Sequence, residues 1–265
     1  MADLFYPQLT SGALAQYPLR KTRITRTIKN VLPDGTMILL PDSGARRTVW
    51  QLQYTHLSLA DVQSLQSHFA ACKGPLNAFT FIDPTGNMLV SSTDLTTAIW
   101  QKSSLLQIQP GITDPFGGTA AQIITNNGQS LQELVQSLGV PTNYQYCLSL
   151  YAASIQQTPI TLFQRGPNSQ QSKQIILSSN WNRLVLSGRL NDSGSIVSVG
   201  ISLEPGTQVK VFGMQMEAQV SPSRYQPTRV TGGVYANAHW ATEQLQIRAE
   251  EVDSYSTSVV IDAAA

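Results

Sequence analysis

The side chains that most often perform acid–base or metal chemistry are few and scattered in this 265-residue chain. The three histidines, His56, His68 and His239, show no metal-ligand spacing. Nothing marks a pair among the 16 acidic residues as the two carboxylates of a glycosidase. There is also no nucleophile-elbow motif and no glycine loop that would cradle phosphate. The sequence therefore predicts a non-enzyme without catalytic residues, with His68 at a surface or boundary position, and a hydrolase remains an alternative.

Composition favours a globular protein with a polar but weakly charged surface. Charged residues make up 12% of the chain, about half the usual share, while 42% of residues are hydrophobic. The net charge of +1 argues against a protein that mainly grips nucleic acid. Cys72 and Cys147 lie among apolar residues and are expected to pack as small hydrophobes. The first residues show no signal peptide, and no apolar run is long enough to span a membrane, so synthesis in the cytoplasm is expected.

The first 90 residues predict a small α+β unit. Residues 36–40 form a short apolar strand, PDSGAR is a turn signal, and Trp50, Leu52 and Tyr54 alternate along a second strand, so a hairpin is expected. Ser58 and Asp61 form a capping box at the start of a helix whose apolar stripe includes Val62, and Gly74 follows its end. A β-run then ends at residue 82.

Residues 91–228 read differently, as many short strands separated by Gly, Asn, Ser and Pro, which predicts a β-sandwich or jelly roll. Only residues 131–138 look briefly helical. In the last strand, Phe212, Met214 and Met216 are expected on one face, with Gln215 and Glu217 on the other. The predicted strands cover residues 121–125, 146–152, 160–164, 174–177, 182–186, 196–203 and 209–218.

The chain after residue 228 predicts two further strands, at residues 243–249 and 256–261, which are too few to be stable alone. The N-terminal unit also lacks enough sheet to close a core. We therefore expect residues 1–90 and 229–265 to form one split α+β, barrel-like domain, with residues 91–228 inserted between its halves. Insertions are tolerated where the chain leaves and returns at nearby points.

The inserted segment resembles the carbohydrate-binding-module-like jelly rolls of phage virion proteins. The resemblance rests on VFGMQME at residues 211–217 followed by SRYQPT at residues 223–228. Further support comes from AIW at 98–100, DPFGGTA at 114–120, YCLSLY at 146–151 and WNR at 181–183. Together these motifs cover most of residues 91–228, and the resemblance implies a module that binds glycans on the host surface.

The flanking segments resemble the distal tail proteins of tailed phages. They share an opening aromatic-Pro pair at residues 5–7, the WQLQY strand at 50–54, the glycine-terminated helix and FTFIDP at 79–84. This resemblance implies a virion protein of the tail tip that forms a ring, usually a hexamer. The ring would join the tail tube protein to the tip or baseplate hub protein. The alternative is a glycan-binding adhesin mounted on a fibre or baseplate without a ring role.

Sugar-binding modules stack aromatic rings on sugar faces and read hydroxyls with polar side chains. The candidates for this role are Tyr144, Tyr151, Arg165, Trp181 and Arg183. For Trp181 a place in the core or rim of the sandwich is an open alternative, and the module could have lost its site and serve as a spacer. No cofactor is expected; a structural calcium ion held in part by Asp114 and Glu217 is an alternative, although no Asp-rich loop is present.

Charge is distributed unevenly between the two ends of the chain. The first 50 residues hold seven basic and three acidic residues, whereas residues 238–265 hold one basic and five acidic residues. Arg20, Arg23 and Arg26 are candidate assembly contacts, with the acidic C-terminal segment of another copy or with the tail tube. The alternatives are a solvated edge strand, whose charges block stray pairing, and a few basic residues facing DNA in the ring lumen.

Overall fold

A computed structural model describes residues 4–264 and shows a mainly β protein that divides into two compact units. One unit holds the chain up to Phe81 and from Tyr235 onward, and the other holds Ile82–Val234. The second unit begins nine residues before the predicted boundary at 91 and ends six residues after the predicted boundary at 228. Among the described residues, no helix is long and apolar enough to cross a membrane.

The elements are numbered in chain order. They are β1 (Leu19–Val31), β2 (Met37–Leu57), α1 (Leu59–Cys72), β3 (Phe79–Ile82), β4 (Gln101–Lys102), β5 (Leu106–Ile112), β6 (Ala121–Asn126), β7 (Gln132–Leu138), β8 (Tyr146–Ala153), β9 (Thr158–Arg165), β10 (Gln170–Leu177), β11 (Asn182–Gly188), β12 (Val197–Leu203), β13 (Gln208–Glu217), β14 (Val234–Trp240), β15 (Ile247–Glu251) and β16 (Ser254–Ala264).

The first unit is built on a six-stranded sheet in the order β1-β2-β16-β14-β3, with β15 paired to β16. The sheet is open in the described part of the chain, running from β1 at one edge to β3 at the other. Alternation along β2 buries Trp50, Leu52 and Tyr54, as the sequence predicts. Trp50 packs on Phe81 at 4.9 Å between ring centroids, and Tyr6 contacts both Phe81 at 5.4 Å and Trp240 at 5.8 Å. The N-terminal and C-terminal segments therefore share one aromatic core.

Helix α1 begins as the sequence predicts. The Ser58 hydroxyl accepts from the Asp61 backbone N–H, and the Asp61 carboxylate accepts from the Ser58 backbone N–H, which completes the capping box. The same carboxylate also accepts from the backbone N–H and the hydroxyl of Thr10, so the cap is tied to the N-terminal segment. The expectation for His68 is wrong: its side chain is only 8% exposed.

The predicted hairpin is also wrong in its partners. Residues 37–40 and 49–54 belong to one continuous strand, β2, whose partner is the basic strand β1. The turn lies at residues 32–36 instead, where Gly35 adopts a φ of 83° and the Asp34 carboxylate accepts from the Thr36 N–H. The PDSGAR segment is an irregularity in β2, where the register with β1 shifts between Ile24 and Arg26.

The second unit is a sandwich of two five-stranded antiparallel sheets. The first sheet has the order β10-β9-β12-β7-β4 and the second sheet has the order β11-β8-β13-β6-β5. Alternating residues of both sheets fill the core, among them Leu134, Leu148, Leu162 and Ile201, none of which is exposed. The seven strands predicted between residues 121 and 218 are confirmed as β6 and β8 to β13.

Two local predictions in the sandwich are wrong. Residues 132–138 of this segment form strand β7 rather than a helix, because Gln132, Leu134 and Leu138 are buried at a period of two. In β13 the register shifts between Phe212 and Gln215, around Gly213 at a φ of 66°. The extra residue turns Phe212 to the face of Gln215, opposite to Met216, because a bulge inverts the alternation beyond it.

The segments that lead into and out of the sandwich are held together by Asn87, which is 1% exposed. Its amide nitrogen donates to the carbonyls of Met214 and Gln226, and its amide oxygen accepts from the N–H groups of Leu89 and Met216. The Thr228 hydroxyl adds a hydrogen bond to the Leu89 carbonyl. The SRYQPT segment therefore closes the sandwich by pairing with its first residues.

Candidate functional site

The candidate site lies on the outer face of the second sheet. Arg183 of β11 stands opposite Tyr151 of β8, which in turn stands opposite Phe212 of β13. The residues beside them along these strands, such as Leu150 and Leu184, are buried in the core, so the row faces away from the other sheet. Three adjacent strands thus place two aromatic rings and a guanidinium group side by side.

Phe116 adds a third ring from the loop between β5 and β6. Its centroid lies 5.4 Å from that of Tyr151 and 5.8 Å from that of Phe212, both in edge-to-face geometry. The loop is fixed by the Asp114 carboxylate, which accepts from the backbone N–H groups of Phe116, Gly118 and Ala120. Phe116 nevertheless stays 69% exposed, which is unusual for a phenylalanine held in a well-bonded loop.

Tyr225 closes one side of this aromatic cluster. Its ring lies 5.1 Å from Phe212 and covers Gly213, where a Cβ atom would approach the ring to 3.3 Å. The hydroxyl of Tyr225 hydrogen-bonds Ser92 at 3.0 Å, and burial raises the pKa of this phenol. The closing segment therefore contributes to the site as well as to the fold. We call Phe116, Tyr151, Phe212 and Tyr225 the aromatic platform.

Arg183 lies over the platform, with its guanidinium carbon 5.5 Å from the Tyr151 centroid. One hydrogen bond, from Nη2 to the Ser149 hydroxyl at 3.0 Å, holds it in place. Its Nε atom is buried without a hydrogen-bond partner, and Arg183 forms no salt bridge within residues 4–264. The half-buried cation therefore has most of its donors unused.

The polar residues farther along the same face are already engaged. Glu217 accepts from the side-chain amides of Gln215 and Gln219 and from the N–H and hydroxyl of Ser223. Cys147 lies beside it, and burial together with the charge of Glu217 raises the pKa of this thiol to about 11. The thiol is therefore protonated at neutral pH and is a poor nucleophile.

The five predicted glycan-binding residues fall into two groups. Tyr151 and Arg183 come together on the platform. Arg165 lies on the first sheet, where it pairs with Glu133 at 2.8 Å and covers Phe163 at 4.7 Å. Trp181 is half-buried directly before β11, and Tyr144 lies in the connection before β8 with its ring 6.4 Å from Tyr146.

Phe116, Phe212 and Tyr225 were not predicted as site residues. A regular alternation through Gly213 predicts Phe212 on the core face, and the bulge at Gly213 makes that prediction wrong. A glycine inside a strand pattern is a known signal for a bulge. Phe116 lies in the turn sequence DPFGG. A large aromatic residue in such a turn is expected to lie outside the core, and this is the sequence signal that could have identified it as a site residue.

Metal binding has no prepared site in the part of the chain that the structure describes, where no group of three or more His, Cys, Asp or Glu residues converges. Asp114 and Glu217, the suggested calcium ligands, both accept hydrogen bonds from N–H and O–H donors. A calcium ion would have to displace these donors.

The three candidate assembly residues lie on β1. Arg26 forms a salt bridge with Asp42 across the hairpin, whereas Arg20 and Arg23 are exposed and form no ion pair with the described residues. Arg47 pairs with Asp262 between β2 and β16. At least one basic residue of the N-terminal segment therefore pairs with an acidic residue of the C-terminal segment within the first unit.

Comparison with known proteins gives likeness only at the level of solved structures. No family model matches the chain. No curated protein matches it either. The chain is similar to the C-terminal family 22 carbohydrate-binding module of Clostridium thermocellum Xyn10B, with 15% identity and a TM-score of 0.42, over 54% of this chain and 99% of that one.

Two further structures are similar at the same level. TmCBM61, solved in complex with β-1,4-galactotriose, shows 12% identity and a TM-score of 0.40 over 49% of this chain and 97% of that one. The enzymatically active domain of bacteriophage CBA120 tailspike protein 4 shows 8% identity and a TM-score of 0.41, over 52% of this chain but only 22% of that one. All three scores lie below 0.5, and the proposals below rest on the residues of this chain.

Proposed function

We propose that the protein is a non-catalytic glycan-binding protein and that its ligand lies on the aromatic platform. The observation that supports this most directly is Phe116, a 69% exposed ring braced by Tyr151 and Phe212. An exposed aromatic face backed by other rings offers a rigid apolar surface to the C–H face of a sugar. Arg183 beside it supplies N–H donors for ring hydroxyl oxygens.

The platform leaves room for recognition by polar groups as well as by stacking. The Tyr151 hydroxyl makes no hydrogen bond to residues 4–264, and Arg183 uses one donor only. A sugar stacked on Phe116 would have these groups at its edge. This combination of one apolar surface and a few directional donors is typical of sites that bind carbohydrates with specificity.

The test is glycan binding by the full-length chain, followed by binding of Phe116→Ala. We expect this variant to bind at least about tenfold more weakly and to remain folded, with a melting temperature lowered only slightly, since the ring is 69% exposed and loses two edge-to-face contacts. Ile176→Ala is the matched control, because Ile176 is 60% exposed on the first sheet. If wild type binds no glycan on a broad array, or if both variants bind like wild type, the proposal fails.

We also propose that the first unit assembles with further copies into a ring at the tail tip of a phage particle, between the tail tube protein and the tip or baseplate hub protein. The resemblance of the flanking segments to distal tail proteins supports this role. Independent support comes from the hairpin of β1 and β2. The part of β2 that precedes Arg47 pairs only with β1 among residues 4–264, because the pairing of β2 with β16 covers Arg47 to Leu57.

This distal part of the hairpin, which we call the arm (residues 24–47), exposes apolar side chains. Eight of the 21 large hydrophobic residues that are exposed in the described chain lie in it, with exposures from 39% to 66%. They are Ile24, Ile28, Val31, Leu32, Met37, Ile38, Leu39 and Leu40. A two-stranded ribbon is marginal in water, so a ribbon that is apolar on both faces favours burial against another subunit.

The ring proposal is tested by light scattering and negative-stain electron microscopy of the purified chain at micromolar concentration. A closed ring supports the tail-tip role. A monodisperse monomer that still binds glycans supports the alternative, an adhesin mounted on a fibre or baseplate without a ring of its own.

A further inference from the structure

We infer that the glycan bound by the platform carries an anionic group, which Arg183 binds. This inference rests on the proposed glycan-binding function and adds the chemical class of the ligand. It is drawn from the charges around the platform and from the unused donors of one side chain.

Arg183 is placed like a binding residue rather than like a structural one. A guanidinium group has five N–H donors. Within the described chain, Arg183 makes a single hydrogen bond, to the Ser149 hydroxyl. Arg165 also lies over an aromatic ring, but it forms a salt bridge with Glu133 at 2.8 Å. Arg183 stacks on Tyr151 in the same manner and has no carboxylate partner in residues 4–264.

A second cation lies on the same face. Lys210 of β13 stands opposite Ala153, two residues along β8 from Tyr151, which is a separation of about 7 Å along the strand. Lys210 also forms no salt bridge in the part of the chain that the structure describes. Two cations without an ion-pair partner in residues 4–264 therefore lie near the Tyr151–Phe212 pair, Arg183 beside Tyr151 and Lys210 two residues along β13 from Phe212.

The carboxylates near the platform do not neutralise these cations. Asp114 accepts from three backbone N–H groups of its own loop. Glu217 accepts from the side-chain amides of Gln215 and Gln219 and from the Ser223 hydroxyl. The oxygens of both carboxylates therefore accept hydrogen bonds from donors other than Arg183 and Lys210. Neither carboxylate forms an ion pair with Arg183 or Lys210, so both cations are available to an anionic group on a ligand.

An anionic group on the ligand is the chemistry that fits these donors. Arginine donors bind planar carboxylates and phosphates with two parallel hydrogen bonds, which are stronger than hydrogen bonds to neutral hydroxyls. A half-buried cation without a counter-charge is also unfavourable, so an anion that pairs with it gains more than a neutral sugar would. Uronic-acid polymers and polyol-phosphate polymers share this chemistry, and the experiment separates them.

The test uses full-length protein and a printed array of neutral, uronic-acid and phosphate-bearing bacterial polysaccharides. Each uronic-acid polymer and each phosphate-bearing polymer is printed beside a sample treated for carboxyl reduction. We expect the protein to bind acidic polymers. If the anionic group is a uronate, carboxyl reduction should weaken binding at least about tenfold. If it is a phosphate, carboxyl reduction should have no effect.

Arg183→Gln is expected to remove the preference for acidic members, and Arg183→Lys to restore part of it, because lysine keeps the charge without the fork. Arg189→Gln is the matched control, since Arg189 is exposed just after the same strand. Melting temperatures of all variants report whether the sandwich remains folded.

The possible results separate this inference from the function on which it rests. Binding of neutral glycans that depends on Phe116 but not on Arg183 overturns the inference and leaves glycan binding intact. A preference for acidic glycans that persists in Arg183→Gln also overturns it. Absence of binding to every polymer overturns both.

Discussion

At the scale of single residues, the buried histidine of the first unit links stability to pH. The Trp240 indole N–H donates to His68 Nδ1 at 3.2 Å, and the ring of His68 packs between Tyr6 and Phe79. The hydrogen bond requires a neutral imidazole with an unprotonated Nδ1. Burial accordingly lowers the pKa of His68 to about 4. The folded state therefore binds fewer protons than the unfolded state between pH 6.5 and pH 4.

We predict that stability falls as the pH drops through this window, by about 3 kcal/mol from this residue alone. His68→Asn keeps an acceptor near the Trp240 N–H and removes the titration, so its stability should fall less steeply. Urea denaturation followed by tryptophan fluorescence at several pH values measures the difference. His56→Gln, which changes an exposed histidine, should retain the wild-type slope. Equal slopes for wild type and His68→Asn would contradict the assignment.

The residue scale also shows the limit of sequence reasoning about the site. Tyr151 and Arg183 could be named because their residue types suit sugar recognition and because they lie in strand-like motifs. Their neighbours could not be named, since which strands pair, and in which register, depends on contacts distant in sequence. Phe212 illustrates this, because its face is set by a one-residue bulge whose position follows from packing against β8.

At the scale of elements, local signals were reliable where short-range contacts decide the structure. The capping box at Ser58 fixes the start of α1, and apolar alternation locates the strands of the sandwich. Sequence patterns do not predict the arm, because its residues do not alternate between buried and exposed positions. Both faces of the arm are exposed in this single chain. The sequence offers two Pro/Asp/Gly turn signals for one hairpin, at residues 33–35 and 41–44. The pairing of β1 with β2 places the turn at the first of them.

The arm carries a prediction of its own. The double variant Met37→Gln and Leu39→Gln removes two apolar side chains, each 56% exposed. We expect it to lower the assembled fraction at least about tenfold in light scattering, because each side chain buried in an interface contributes roughly 1.5–3 kcal/mol. Its melting temperature as a monomer should be unchanged. Val252→Gln is the control, as Val252 is 94% exposed outside the arm. Assembly that is unaffected by the double variant argues against the arm as the contact.

At the scale of the whole molecule, the stability of the sandwich depends on how its first and last residues are joined. Asn87 makes four hydrogen bonds to backbone groups on both sides of this junction. Asn87→Ala would leave several buried backbone groups unpaired, and we expect a loss of about 3 kcal/mol in the free energy of unfolding of this unit.

Chemical denaturation of the full chain, followed by the near-ultraviolet circular dichroism of the sandwich aromatics, measures this loss. Asn127→Ala is the matched control, since Asn127 is exposed and its side chain makes no hydrogen bond to residues 4–264. A loss for Asn87→Ala no greater than for the control would show that the junction is held by other contacts.

The junction also bears on how such a chain could diversify. The Asp83 N–H donates to the Gly233 carbonyl, and the Gly233 N–H donates to the Asn87 carbonyl, so the unit's two ends are neighbours. Genetic exchange at two sites, next to residues 82 and 234, would replace the whole sandwich with another module whose ends are equally close. Under the proposed glycan-binding role, such an exchange would change the polymer that the protein recognises, while the flanking segments keep their own sequence.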